Sequence, residues 1–146
     1  MPMKLKEGKG FTLVELLIVV AIIGILALIA VPLFYEAVQR GKQKSTMHNM
    51  RTIATGLESY MVDYNFYPHN IIAVEPTYVS MTPRRDGWSN DWVYETFQSD
   101  QSYSLSSGGR DGGGHATVEG VTSDFDDSIT IVNGRFFSYP AGYQHK

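Results

Sequence analysis

The chain of 146 residues contains no cysteine. This absence excludes disulfide scaffolds, thiol catalysis and cysteine-ligated zinc or iron–sulfur sites. Charged residues make up only 18% of the chain, and the formal net charge is −3. Such mild acidity argues against a dedicated nucleic-acid-binding protein, so no nucleic-acid partner is expected. The length fits one domain with a modest core.

Charge is absent from one long stretch near the N-terminus. No residue from Leu16 to Val31 is charged or polar, and only Thr12 and Glu15 interrupt the apolar sequence across residues 11–34. A helix of that length would be about 36 Å long, enough to cross a hydrocarbon core of about 30 Å. Because lipid offers backbone groups no hydrogen-bond partner, we predict a membrane-spanning helix. Pro32 is expected either to kink this helix or to mark where the chain leaves the hydrocarbon.

Two simple interpretations of the N-terminal region are open. A basic arm with Lys4, Lys6 and Lys9 precedes the apolar segment, as in a secretory signal peptide. The segment is longer than the apolar part of a usual signal peptide, however, and no A-x-A cleavage site follows it. The second interpretation is a plain membrane anchor. Basic residues flank both ends, so charge does not settle the orientation, and the short N-terminal arm is the side expected in the cytoplasm.

Glu15 fits neither interpretation well. A carboxylate one turn into an apolar segment costs roughly 3 kcal/mol in a membrane, and such a residue usually has a partner. A newly formed α-amino group at Phe11 is a natural partner, because the N-terminal end of a helix also carries the positive end of its dipole. Close packing of several copies would place Glu15 of one copy beside the amine of another. The alternatives are that Glu15 reaches the membrane interface or is protonated.

The residues around Glu15 carry a family resemblance. The sequence at the start of the apolar segment resembles the class III signal of type IV pilins and type II secretion pseudopilins. It reads Lys9-Gly10-Phe11-Thr12-Leu13-Val14-Glu15 and is followed by an apolar helix with Pro32. The resemblance implies that a prepilin peptidase cleaves between Gly10 and Phe11 and methylates the amine of Phe11. It also implies that Glu15 sets the registration of subunits during assembly, within a helix that includes Pro32.

Beyond this segment the apolar residues recur at spacings of three and four, which predicts an amphipathic helix. The residues in this stripe are Met47, Met50, Ala54, Leu57, Met61 and Tyr64. If the two segments are continuous, one helix runs from about Phe11 to Tyr64, and Pro68 prevents it from extending further.

Short strands are predicted in the rest of the chain. They include Trp92–Tyr94, a strand that begins at Ser102, and a hairpin within residues 128–137 whose turn is Asn133-Gly134. A long helix followed by short strands predicts an α+β fold, with the helix packed on a small antiparallel sheet. Together with the resemblance, this order implies a cleaved leader at residues 1–10, a transmembrane and assembly helix at 11–34, and a periplasmic head at 35–146.

The order of motifs in this head is most similar to that of the major pseudopilins of type II secretion, which have a helix, a variable loop, a small sheet and a calcium loop. The stretches that carry this similarity are residues 63–68, 86–94, 103–105, 111–112 and 126–127. The resemblance implies a structural calcium ion. Its candidate ligands are Leu105, Ser107, Asp111, Asp124, Asp126 and Asp127. On the residues alone, a solvated acidic turn is the commoner explanation, although an exported flexible loop without a disulfide needs some tie.

Catalytic patterns find little support. The four histidines are dispersed without metal-ligand spacing, and no G-x-S-x-G motif occurs. The glycine-rich stretch Gly108–Gly114 matches neither of the common phosphate-binding patterns. We therefore expect that the chain is not an enzyme.

The function implied by the resemblance is mechanical. The chain would be a structural subunit of a periplasmic pseudopilus that drives protein export, held before assembly in the bacterial inner membrane by a single pass. The implied partners are further copies of the chain, minor pseudopilins, the inner-membrane assembly platform, the prepilin peptidase and membrane lipid. The alternatives are a type IV pilin for adhesion, motility or DNA uptake, and a membrane-anchored periplasmic binding domain.

Overall fold

The computed structural model describes residues 10–113 and 119–140, so the predicted leader lies outside these ranges apart from Gly10. The chain divides into two compact units, Met1–Tyr35 and Glu36–Lys146. The described residues form an α+β fold, as predicted. Its elements are α1 (Leu13–Tyr64), a 3-10 helix (Ile71–Val74), β1 (Val93–Phe97), β2 (Ser102–Ser107), β3 (Gly120–Thr122), β4 (Ile129–Val132) and β5 (Arg135–Pro140).

The first unit has no buried side chain among its described residues. Every residue from Gly10 to Tyr35 is exposed, including Phe11 at 83% and Leu28 at 78%. Within the described parts of the chain, α1 is also the one helix that is long and apolar enough to cross a membrane. Length, composition and exposure therefore all agree with the predicted membrane-spanning segment.

The long helix is continuous, as the sequence predicted. Helix α1 passes through Pro32 and ends at Tyr64, close to the predicted boundaries at both ends. Asn65 follows with a φ of 61°, in the left-handed region that asparagine tolerates better than most residues. Its amide still donates to the carbonyl of Met61 at 2.8 Å. The helix therefore ends in a local cap before Pro68 is reached.

The core of the second unit lies between α1 and the sheet. The buried apolar residues of the helix are Met50, Ile53, Ala54 and Leu57, and those of the strands are Tyr103, Leu105, Ile129 and Ile131. The predicted stripe was wrong at Tyr64, which is 55% exposed and stacks on Tyr60 with ring centroids 4.4 Å apart. Tyr64 is the last residue of the helix, and its ring packs with Tyr60 and Phe66.

The five strands form one sheet in the order β1-β2-β4-β5-β3. The pairs β1–β2, β2–β4 and β4–β5 are antiparallel, whereas β3 pairs with β5 in parallel. The sheet is therefore mostly antiparallel, as predicted, with the parallel strand β3 at one edge. Asn133 and Gly134 connect β4 to β5, and both have positive φ, 46° and 75°. Positive φ at both residues is typical of a type I′ turn, and the turn lies where the sequence predicts it.

Polar residues of α1 hold the loop that precedes β1. The amide of Gly87 donates to Thr46 Oγ1 at 2.8 Å, and Trp88 Nε1 donates to Gln39 Oε1 at 2.7 Å. A Cβ on Gly87 would lie only 2.1 Å from the carbonyl oxygen of Lys42. Gln39 and Thr46 are both buried although they are polar. This close approach fixes the loop against the helix and positions the strands that follow.

Candidate functional site

The start of α1 is a capping box. Thr12 is the residue before the helix, and its Oγ1 accepts a hydrogen bond from the amide of Glu15 at 3.2 Å. In return, Glu15 Oε2 accepts from the backbone amide and from the hydroxyl of Thr12, each at 2.8 Å. Two amides that the first helical turn leaves without partners are therefore satisfied by two side chains.

Glu15 thus has a partner within its own chain. The sequence carried the signal for it, because T-x-x-E before an apolar segment is the usual pattern of a capping box. Sequence reasoning considered only an amine, the interface or protonation, and it missed Thr12. The pairing of Glu15 with the amine of a neighbouring copy stays a prediction, since it concerns an assembled state.

The predicted cleavage site lies just before the helix. Gly10 and Phe11 precede Leu13, the first residue of α1, and both are exposed. A Cβ built on Gly10 would meet no atom of the described residues within 4 Å. The peptide bond between Gly10 and Phe11 is therefore sterically open to a protease. Cleavage and methylation themselves stay predictions.

Pro32 lies in the interior of α1. It has no amide hydrogen, so the carbonyl of Leu28, four residues earlier, loses its usual helical donor. The helix nevertheless continues on both sides of Pro32, which agrees with the predicted continuous helix. A role for Pro32 in assembly stays a prediction.

The acidic residues near the end of the sheet lie around an arginine. Arg110 makes a two-pronged ion pair with Asp126, with Nε donating to Oδ1 at 2.6 Å and Nη2 donating to Oδ2 at 2.5 Å. These hydrogen bonds lower the pKa of the Asp126 carboxyl below its ordinary value. Asp124 Oδ1 lies 3.9 Å from the same Nη2. Sequence reasoning missed Arg110 because its partner is sixteen positions away.

Asp127 closes the turn that follows β3. Its Oδ2 accepts from the amide of Ser123 at 2.6 Å, from the Ser123 hydroxyl at 3.1 Å and from the amide of Asp124 at 2.9 Å. The amide of Asp124, followed by the Ser123 donors, lowers the pKa of the Asp127 carboxyl. This carboxylate therefore already caps a tight turn.

The other predicted calcium ligands make other contacts. Leu105 is fully buried in the core and pairs with Tyr94 and Ile131, so its carbonyl is at a ladder position of the sheet. The hydroxyl of Ser107 donates to Asp86 Oδ2 at 2.6 Å. Asp111 Oδ1 accepts from the amide of Gly113 at 2.8 Å.

The predicted ligand set does not fit calcium as it stands. Calcium takes six to eight oxygen ligands, several of them anionic. In residues 10–113 and 119–140, no three histidine, aspartate or glutamate side chains lie close enough to share a metal ion. Asp126 faces a guanidinium instead. Calcium binding stays an untested prediction, and no step of the proposed function depends on it.

Comparison with known proteins identifies relatives of this chain. Residues 6–31 match the family described as the prokaryotic N-terminal methylation motif. The chain is 28% identical to the type II secretion system core protein G of Escherichia coli K12 over 123 residues, which is 73% of this chain and 84% of that protein. The core protein G of Vibrio cholerae is also 28% identical, over 62% of this chain and 73% of that protein.

The match to a type IV pilin has a higher sequence identity than the matches to core protein G, but it covers fewer residues. The type IV major pilin protein PilA of Myxococcus xanthus is 46% identical over 61 residues, which is 42% of this chain but only 28% of that pilin. The chain therefore spans little more than a quarter of the pilin that it matches. No solved structure matches the chain significantly. The chain matches the methylation motif and is similar to type IV pilins and to core protein G, which confirms the resemblance.

Proposed function

We propose that this homologue of core protein G and of type IV pilins is a structural subunit of a periplasmic pseudopilus, and that it polymerises through its N-terminal helix to drive protein export by type II secretion. The matches to core protein G support this proposal over a pilus, because they extend into the head, whereas the pilin matches cover a shorter part of the chain. The proposed role is mechanical and not catalytic.

The observation that carries the proposal is the fully exposed apolar unit with one acidic residue at its start. Residues 16–31 offer only apolar side chains, and Glu15 is the one charged residue between Gly10 and Tyr35. Burial of apolar surface is worth about 25 cal/mol per Å². Such a segment is therefore stable only when lipid or other apolar helices cover it.

The two coverings correspond to two stages of the proposed function. Before assembly, lipid covers the helix, and the head lies in the periplasm. Cleavage after Gly10 then creates the amine of Phe11. In the filament, apolar faces of neighbouring helices replace the lipid, and Glu15 of one subunit pairs with the Phe11 amine of another. Contacts between unlike faces of identical subunits produce a fibre when the rotation from one subunit to the next does not close into a ring.

The proposed partners follow from these stages. A prepilin peptidase acts on the peptide bond between Gly10 and Phe11, and an inner-membrane assembly platform receives the processed subunit. Further copies of the chain form the filament, together with minor pseudopilins. The exported cargo is protein, whose passage the growing filament drives.

A type IV pilin is the second candidate, and the 46% identity to the Myxococcus pilin over the N-terminal region favours it. The two candidates differ in where the filament is found. A pseudopilus stays within the periplasm, whereas a pilus appears as surface fibres on intact cells.

The decisive experiment combines N-terminal mass spectrometry of the cellular protein with imaging of sheared fibres, for the wild type and for Glu15→Ala. We expect the wild-type chain to begin at a methylated Phe11 and to form fibres. Glu15→Ala should lose the fibres while the protein accumulates in the membrane, because the amine of the neighbouring subunit has no carboxylate to pair with.

Glu36→Ala is the matched control. Glu36 also lies on α1 and pairs with Arg40 at 3.2 Å, but it lies outside the apolar unit. We expect this variant to form fibres as the wild type does. A cellular protein that begins at residue 1 with an unmodified terminus, or fibres that survive Glu15→Ala, would contradict the proposal.

A further inference from the structure

Residues 108–113, which follow β2, lie against the turn before β4. The amide of Arg110 donates to the carbonyl of Phe125 at 2.8 Å, and the hydroxyl of Ser128 donates to the carbonyl of Gly113 at 3.3 Å. Gly109 has a φ of 76°, and a Cβ there would lie 2.7 Å from the carbonyl oxygen of Asp126. The backbone of the loop therefore approaches the turn as closely as glycine permits.

A cation holds these two segments together at their outer face. The guanidinium of Arg110 occupies both carboxylate oxygens of Asp126, and one of its nitrogens lies 3.9 Å from Asp124. A two-pronged guanidinium–carboxylate pair has a fixed planar geometry, which a single point charge does not provide. The side chains of Arg110 and Asp126 are 31% and 36% exposed, so the pair is partly shielded from water.

The same carboxylates are the ones that a calcium ion would need. A divalent ion beside Asp124 and Asp126 would experience the positive charge of Arg110 at short range. Oδ2 of Asp127 already accepts from three donors of its own turn. The guanidinium and a metal ion would thus compete for the oxygens of Asp126, and in this chain the guanidinium holds both of them.

We propose that Arg110 supplies the cation that ties residues 108–113 to residues 124–127, in place of the calcium ion that the family resemblance implies. The head then needs no calcium to keep this loop in place. This inference goes beyond the proposed function, because it concerns the stability of the unassembled chain and holds for a pseudopilin, a pilin or an anchored binding domain alike.

The test is the thermal unfolding of the full chain in detergent micelles, followed by tryptophan fluorescence with calcium in excess and with a chelator in excess. Both tryptophans, Trp88 and Trp92, lie in the head. We expect the same Tm for the wild type in both conditions. Arg110→Ala should lower the Tm by about 4 °C, which corresponds to the loss of one good ion pair in a domain of this size.

Arg85→Ala is the matched control, because it removes the same charge from a more exposed pair, that of Arg85 with Asp91 at 3.3 Å. An exposed pair contributes little, so its Tm should change by less than about 2 °C. Arg110→Lys keeps the positive charge but lacks the planar guanidinium. Its Tm should lie between that of the wild type and that of Arg110→Ala. It also keeps the test informative if the alanine variant fails to fold.

Amide hydrogen exchange locates the effect. Residues 109–113 should exchange faster in Arg110→Ala than in the wild type, and Arg85→Ala should leave their exchange unchanged. A rise in the wild-type Tm on adding calcium would overturn the proposal, because it would place a metal at the loop. Equal Tm losses for Arg110→Ala and Arg85→Ala would also overturn it. Either result leaves the filament experiment unaffected.

Discussion

The two regions of the chain differ in how far their apolar side chains are buried. The first region is residues 10–35, and the second is the described residues from 36 to 140. In the first region every described side chain is exposed, and the side-chain hydrogen bonds found there join Thr12 to Glu15. In the second region the helix and four strands bury a core that includes Leu57, Tyr103 and Ile131 at 0% exposure. The apolar side chains of the first region therefore need lipid or other helices to bury them, whereas those of the second region are buried by the chain itself.

The same helix serves both regions, so the difference is not one of secondary structure. Helix α1 is a single element from Leu13 to Tyr64. What changes along it is the number of polar residues: almost none in the apolar unit, and a polar face beside the buried stripe in the head. A substitution in one region should therefore change the stability of that region alone. Three pairs of substitutions test this expectation.

The largest expected effect comes from the core of the head. Leu57→Ala removes a fully buried side chain and should lower the free energy of unfolding by about 2–5 kcal/mol. Leu17→Ala makes the same chemical change on a side chain that is 64% exposed, and it should shift that free energy by less than about 0.5 kcal/mol. Denaturant unfolding of the full chain in micelles, read by tryptophan fluorescence, measures both. Equal losses would show that the two regions are not independent.

A smaller effect is expected where the loop meets the helix. A Cβ on Gly87 would lie 2.1 Å from the carbonyl oxygen of Lys42, so Gly87→Ala should displace the loop and cost about 1–3 kcal/mol. Gly24→Ala places the same methyl group in open space and removes a poor helix former.

The same unfolding experiment checks this pair. Gly24→Ala should leave the unfolding of the head unchanged. If Gly87→Ala unfolds at the same denaturant concentration as the wild type, the close contact between the loop and α1 does not contribute to the stability of the head.

The features predicted correctly from the sequence are those with a long or local signal. The extent of α1 follows from apolar periodicity and from the absence of charge between Leu16 and Val31, and the turn at Asn133-Gly134 follows from two residues that tolerate positive φ. Each of these patterns is complete within a short window. Contacts with distant residues rarely change such local structure, and the predictions for the helix and the turn were therefore correct.

The features that the sequence did not predict depend on distant partners. Strand β3 has only three residues and exists through its parallel pairing with β5. Gln39 is buried because Trp88 reaches it from a loop forty-nine positions away. Arg110 meets Asp126 only after two strands have brought their loops together. Thr12 is different, because its partner is three residues away and the pattern was visible.

The smallest expected effect therefore concerns Thr12. Thr12→Ala removes the hydroxyl that accepts from the amide of Glu15 and donates to its carboxylate, which should cost the first turn of α1 about 1 kcal/mol. Amide hydrogen exchange in micelles should show faster exchange for residues 13–16 and no change in the head. Thr12→Ser keeps the hydroxyl and should behave as the wild type. If residues 13–16 exchange as fast in Thr12→Ser as in Thr12→Ala, the methyl group of Thr12 stabilises the first turn and its hydrogen bonds do not. If alanine exchanges no faster than threonine, Glu15 is not held by the capping box in the unassembled chain, and its carboxylate needs another partner even before a neighbouring subunit arrives.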